Sequence, residues 1–224
     1  VPQEGLVLQM HRNRGVVRVY RNFESPESRK ATQAALAATS NFRQYKFGNV
    51  PEPRVHMLLA PRATTGLGYA YHGITMRAEP IEQMPCIQTL AEKCTTHFGQ
   101  PWNVGVDVVA YRDGHDSCGW HADDTQGETL IVAVVLQSIG GLRSVKFRPK
   151  KPNDKYDDGY GRKRKAKQPG ERPLSNGDEE LELWIGEGDA YSMDKGVQIG
   201  YEHSVPKQAK SGEIGRRVVA ILRE

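Results

Sequence analysis

The chain has 224 residues, with 31 basic and 27 acidic side chains, a net charge of +4 and a pI near 8.9. That length is enough for one domain with a substantial core, and the mild basicity admits a polyanionic partner without requiring one. Three cysteines (Cys86, Cys94, Cys118) without metal-type spacing argue against a disulfide framework, no apolar run reaches membrane-spanning length, and an intracellular chain is the expectation.

Val1-Pro2-Gln3-Glu4 does not read as a signal peptide, and the missing initiator methionine is read as a trimmed start. Leu6–Met10 and Val16–Tyr20, separated by the polar stretch ending at Gly15, predict a β-hairpin. Ser25 then caps a helix running to about Ala38, with Pro26 at a tolerated first-turn position. From Phe42 to Met76 the pattern is short strands, broken by Pro51, Pro53, Pro61, Gly66, Gly68 and Gly73. Ile81, Met84, Ile87, Leu90, Ala91 and Cys94 recur at helical spacing and predict a second helix over Pro80 to about Phe98.

Beyond Gly99 the reading is almost wholly β: Val104–Tyr111, Thr129–Leu136, Val145–Arg148, Leu181–Ile185, Asp189–Met193 and Arg217–Leu222. Several short strands with Gly-rich turns indicate a sandwich or jelly roll. The polar stretch Pro149–Glu180 carries Arg162-Lys163-Arg164-Lys165-Ala166-Lys167. It reads as a solvated loop, and alternatively as a phosphate-contacting flap or a nuclear-localisation patch.

The residues that carry chemistry follow the Tyr111-Arg112-Asp113-Gly114 turn. Side chains at i and i+2 of an extended segment share a face, so His121 and Asp123 can converge on one small object. An imidazole and a carboxylate are two thirds of the 2-His-1-carboxylate triad that binds non-haem Fe(II) with positions left open. The third ligand should be a histidine on a distant strand, and His203 in Tyr201-Glu202-His203-Ser204 is the candidate. Arg217 and Arg223 sit on the last apolar strand, as binding of a dicarboxylate requires. A non-catalytic β-sandwich with a structural zinc site is the weaker alternative, since such sites are usually closed and rich in cysteine.

With these residues in place the chain resembles the AlkB family of Fe(II)- and 2-oxoglutarate-dependent dioxygenases, especially the eukaryotic nuclear DNA-repair members. The resemblance runs from about Pro53 to Arg223. It rests on Tyr111-Arg112-Asp113-Gly114-His115-Asp116, Trp120-His121-Ala122-Asp123-Asp124, Ser138–Arg143 before Phe147-Arg148, His203-Ser204-Val205-Pro206, and the pair Arg217 and Arg223. It implies a mainly β chain with flanking helices, a double-stranded β-helix (jelly roll) with an N-terminal nucleotide-recognition lid. One domain spans 1–224, with extension and lid over 1–76 and the core over 77–224, including the basic loop 149–180.

By the same resemblance, His121, Asp123 and His203 bind Fe(II) and carry catalysis. Tyr111, Arg217 and Arg223 hold 2-oxoglutarate, and dioxygen is the third reactant. Tyr69, Tyr71, Asp124 and Arg143 contact the substrate, Tyr71 by stacking on a flipped base. The implied activity is oxidative demethylation of N-alkylated bases, coupling 2-oxoglutarate decarboxylation to methyl hydroxylation and formaldehyde release. The partner is nucleic acid, alkylated DNA foremost, for a monomer in the nucleus with no membrane association. The same chemistry on RNA, protein or a small molecule is the alternative, because fold does not fix substrate. Two departures stand out: Val109 and Val219 occupy positions where the family commonly has asparagine. Thr125 stands where repair members often have an acidic residue, which bears on base preference.

Overall fold

The computed structural model describes residues 3–10, 15–62, 65, 69–71, 74–102, 105–123, 130–150, 156–157, 163–164, 180–208 and 214–223. The chain opens with the hairpin β1 (Gln3–Gln9) and β2 (Val16–Arg21), then α1 (Pro26–Ala38). The short strands β3 (Lys46–Phe47) and β4 (Val50–Pro51) precede β5 (Val55–Ala60). The pair β6 (Tyr69–Tyr71) and β7 (Ile74–Met76), then β8 (Glu79–Pro80), lead to α2 (Pro85–Phe98). After it come β9 (Gly105–Tyr111), β10 (Cys118–His121), β11 (Ile131–Ser138) and β12 (Arg143–Pro149). Two-residue strands β13 (Tyr156–Asp157) and β14 (Lys163–Arg164) pair with each other. The remainder is β15 (Leu181–Ile185), β16 (Ala190–Met193), α3 (Lys195–Gly200), β17 (Tyr201–Val205) and β18 (Arg217–Arg223).

A major sheet in the order β1-β2-β16-β11-β18-β9-β5-β8 faces a minor sheet in the order β10-β17-β12-β15. This is the jelly roll that the strand spacing and the resemblance predicted. The central strands of the major sheet are buried on both faces, which is why they read as continuous apolar runs. Val132, Val134 and Leu136 of β11, with Val218, Ala220 and Leu222 of β18, pack in one cluster with Ile87, Leu90 and Cys94 of α2 and Leu36 of α1. Ile131, Ala133 and Val135 point the other way and meet Val145, Phe147, Leu183 and Ile185 of the minor sheet.

The local signals behaved as their chemistry requires. Ser25 caps α1, its side chain accepting from the Ser28 amide at 3.2 Å. The second helix starts at Pro85 rather than Pro80, because Pro80 pairs in β8 alongside Ala60 and Ile81–Gln83 forms a single 3₁₀ turn. Gly99 ends α2 in the left-handed conformation, at φ 68°. Helix α3 was not foreseen; Asp194 caps it by accepting from the Val197 amide at 3.1 Å. No helix among the described residues is long and apolar enough to cross a membrane.

Candidate metal centre

The turn after β9 is held by one carboxylate. Asp116 accepts from the Arg112 amide and Nε, both at 2.8 Å, and from its Nη2 at 2.9 Å. The chain thereby reverses into β10, which pairs antiparallel with β17 so that Cys118 lies opposite Val205 and His121 opposite His203. Three steps on β10 thus match two on β17, a bulge that turns both Cys118 and His121 to the inner face despite their odd spacing. Cys118 Sγ lies 3.5 Å from His121 Nδ1, although a spacing of three would put the two on opposite faces of an unbroken strand.

His121, Asp123 and His203 each offer a ligand atom, all within 4.8 Å of one another. Their donor set fits a cation bound on one face. His121 Nδ1 lies 2.8 Å from the Gly119 carbonyl, a contact that holds the ring and leaves Nε2 as the nitrogen it can offer a cation. Burial lowers the His121 pKa, but Cys118 and the Asp123 charge outweigh it and raise it to about 9, so a cation binding there must displace a proton. Burial, with His121 alongside, lowers His203 to about 3, which leaves its ring neutral as a ligand must be. Burial works against the Asp123 anion, yet Arg223, with His121, holds its carboxyl well below the usual carboxylate range.

The supports around Asp123 come from distant elements. Its amide donates to Gln198 Oε1 on α3 at 3.0 Å, a contact only the tertiary fold reveals. Arg223 Nη2 donates to Asp123 Oδ1 at 3.1 Å, while Oδ2 lies 3.5 Å from His203 Nε2. Behind Arg223 stands Asp107, 3.8 Å from Nη1, and behind Asp107 is His56, whose Nδ1 approaches both carboxylate oxygens at 3.1 and 3.2 Å. Glu52 Oε2 lies 3.3 Å from His56 Nε2. Burial lowers the His56 pKa, but Asp107 and Glu52 outweigh it and raise it to about 9. Arg54 Nε donates to His56 Nε2 at 3.0 Å, and its Nη2 donates to Glu52 Oε1 at 3.0 Å.

All of these groups but Gln198 line one cavity of about 580 Å³, together with Tyr111, Tyr191, Arg217 and the hydrocarbon of Val109 and Val219. Burial raises the Tyr111 pKa, keeping its hydroxyl a donor. Arg217 is 1% exposed, donates Nη1 to the Arg143 and Ile185 carbonyls at 3.2 and 3.4 Å, and among the described residues has no partner for Nε. A buried guanidinium with a spare donor, on the wall of this cavity, fits an anion.

Not every predicted residue reaches this cavity. Arg143 is 1% exposed and does not line it. Its guanidinium stacks on the Tyr111 ring at 4.8 Å and donates to the Asp113, Asp116 and Pro206 carbonyls, bracing the turn that delivers β10. Tyr69 and Tyr71 lie on β6, paired with Met76 and Ile74, and Ala70 between them lines the cavity. The side chains of both tyrosines, and Asp124 and Thr125 altogether, lie outside the described residues, as does most of the Arg162–Lys167 stretch.

Comparison with known proteins agrees with this geometry. The family described as the 2OG-Fe(II) oxygenase superfamily matches residues 16–219. Alpha-ketoglutarate-dependent dioxygenase alkB homolog 3 of Rattus norvegicus is 28% identical over 165 residues, covering 70% of this chain and 48% of the relative. DNA oxidative demethylase ALKBH2 of Bos taurus is 30% identical over 92 residues, 41% of this chain and 32% of the relative. The chain thus spans about half the length, or less, of these curated relatives. The solved structure of OsALKBH1 aligns with a TM-score of 0.51 at 11% identity, covering 98% of this chain and 100% of the other. The non-heme alpha ketoglutarate dependent epimerase SnoN aligns with a TM-score of 0.50 at 14% identity, covering 92% and 77%; at such identities both speak for the fold alone. The family match over residues 16–219, with the clustered His121, Asp123 and His203, places this chain in the 2OG-Fe(II) oxygenase superfamily, which uses Fe(II), 2-oxoglutarate and dioxygen, and AlkB homologues are among its relatives.

Proposed function

We propose that this chain is an oxidative demethylase of N-alkylated bases in nucleic acid, with alkylated DNA as the substrate class. The observation that carries the reading is one cavity lined by three metal-ligating side chains and two buried arginines, in a chain related to alkB homolog 3 and ALKBH2. In this reading His121, Asp123 and His203 hold Fe(II). Arg217 and Arg223 bind the two carboxylates of 2-oxoglutarate, with the Tyr111 hydroxyl donating between them. When bound, the iron and dioxygen would supply the oxidation that converts 2-oxoglutarate to succinate and CO2 and hydroxylates an N-methyl group, whose carbon then leaves as formaldehyde.

The protein's share is to bind, orient and exclude water. The two arginines stand six residues apart on β18, roughly 20 Å along the strand, so their side chains must lean toward its middle to bracket a short dicarboxylate. The apolar walls at Val109, Ala133 and Val219 exclude water from the reacting groups. Tyr69 and Tyr71 stack on or flank the flipped base, Asp124 contacts it, and Arg143 acts indirectly through Tyr111. A base in a duplex must leave the stack to reach the iron, at a cost of roughly a few kcal/mol that a pairing-defective lesion lowers. The Arg162–Lys167 stretch suits phosphate contact and nuclear import alike.

The test is anaerobic loading with Fe(II) and 2-oxoglutarate, admission of air, and mass spectrometry of N-methylated DNA and RNA oligonucleotides. Loss of the methyl group with formaldehyde and succinate in equal amounts is expected, on DNA above RNA. Succinate formation with every oligonucleotide left methylated would overturn the nucleic-acid reading.

A further inference from the structure

Asp107 is the anomaly of β9. The strand reads Gly105-Val106-Asp107-Val108-Val109-Ala110-Tyr111, buried throughout, and Asp107 is 3% exposed on the face that lines the cavity. A carboxylate buried among valines is costly unless paired and hydrogen-bonded. Both requirements are met by residues of the flanking strands. His56 lies opposite Val109 on β5, and Arg223 lies opposite Gly105 on β18. Each is therefore diagonal to Asp107, two residues along, within reach of long side chains on one face. The result is a continuous line of polar contacts: Glu52, His56, Asp107, Arg223, Asp123.

We infer that Asp107 and His56 form a positioning pair that holds Arg223 against the metal carboxylate, so that Asp123 presents a single oxygen to the iron. The inference rests on the oxygenase reading of the site. A guanidinium facing one carboxylate tends to take both oxygens through two parallel hydrogen bonds. Here Nη2 binds Asp123 Oδ1 at 3.1 Å, while Nη1 is drawn to Asp107 Oδ2 at 3.8 Å. Splitting the fork between two aspartates leaves Asp123 Oδ2 for the metal, on the side where His203 Nε2 stands at 3.5 Å. His56 keeps Asp107 in that pose by bridging both of its oxygens, and Glu52 anchors His56 from behind. Val109 and Val219, on the same cavity wall, offer no polar atom for this work.

The experiment is an anaerobic Fe(II) titration of the full chain with saturating 2-oxoglutarate, read by the visible charge-transfer band of the complex. Thermal unfolding of each variant without metal reports whether it is folded. Asp107→Asn, which keeps the shape and removes the charge, is expected to weaken Fe(II) affinity about 10-fold and to shift the band, the scale typical of partners behind a metal ligand. His56→Leu should do the same, and His56→Gln should recover most of the loss because its amide still donates to Asp107. Affinity within about two-fold of wild type and an unshifted band in Asp107→Asn would sink the positioning role while leaving the oxygenase reading intact. No band in wild type would overturn that reading, and this inference with it. If Asp107→Asn does not fold, the His56→Leu and His56→Gln pair decides: equal affinities for the two rule the role out.

Discussion

Arg217 is 1% exposed on the cavity face of β18, whereas its neighbour Arg216 leaves the strand's start and lies over the Phe42 ring at 5.6 Å. The two have the same charge and differ only in which side of the strand carries them, so substitution separates cavity chemistry from surface chemistry. Arg217→Lys replaces a planar fork by a point charge and loses one charge-assisted hydrogen bond to an anion, about 1.5–3 kcal/mol. The KM for 2-oxoglutarate, followed by succinate production, should rise roughly ten- to a hundredfold in Arg217→Lys and stay unchanged in Arg216→Lys. A larger effect at Arg216 would place the wrong face of β18 toward the cavity.

Elements decide how the strands approach one another. Gly105 opens β9 at φ 100°, and a Cβ there would run into the Leu59 carbonyl oxygen of β5. β5 and β9 carry His56 and Asp107, so their close approach at Gly105 also sets the distance between those side chains. Gly105→Ala meets both an unfavourable backbone region and a steric clash, and should destabilise by about 1–3 kcal/mol or more. Gly119→Ala on β10 is the control, since its Cβ meets nothing within 4 Å; it should stay within about 0.5 kcal/mol of wild type. Urea unfolding at constant m-value measures both. Equal midpoints for the two variants would show that β5 yields at that contact.

At the scale of the whole molecule, the site is a seam between sheets. His121 and His203 come from the minor sheet, while Tyr111, Asp107, Arg217 and Arg223 come from the major one. In the proposed reading a metal and a dicarboxylate held across that seam bind the folded chain and not the unfolded one. At 100 times the dissociation constant this contributes about 2.7 kcal/mol, which for a chain of this size raises Tm by roughly 5–10 °C. Scanning calorimetry with Fe(II) and 2-oxoglutarate under argon should show that rise in wild type. His121→Ala should fold with a nearly unchanged midpoint in their absence and lose the shift. An equal shift in His121→Ala would move the metal away from this site.

Local chemistry made much of this legible in advance. The Ser25 cap, the helical spacing of Ile87, Leu90 and Cys94, and the doubly apolar runs of β9, β11 and β18 each record the solvent exposure of neighbouring residues, so they survive in the order of the amino acids. His121 and Asp123 were visible because two ligands two residues apart share a face of an extended segment. The other features depend on which strands become neighbours. His56 and Asp107 stand 51 positions apart, and Arg223 and Asp123 stand 100 apart. Their contact follows from the order β18-β9-β5, which no local period encodes. The bulge that brings Cys118 beside His121, the burial of Arg143 beneath Tyr111, and the grip of Gln198 on Asp123 have the same origin. The sequence by itself determined the elements and the ligand types; the tertiary structure decided which charges face one another, because a buried charge is tolerable only where the fold delivers its counter-charge.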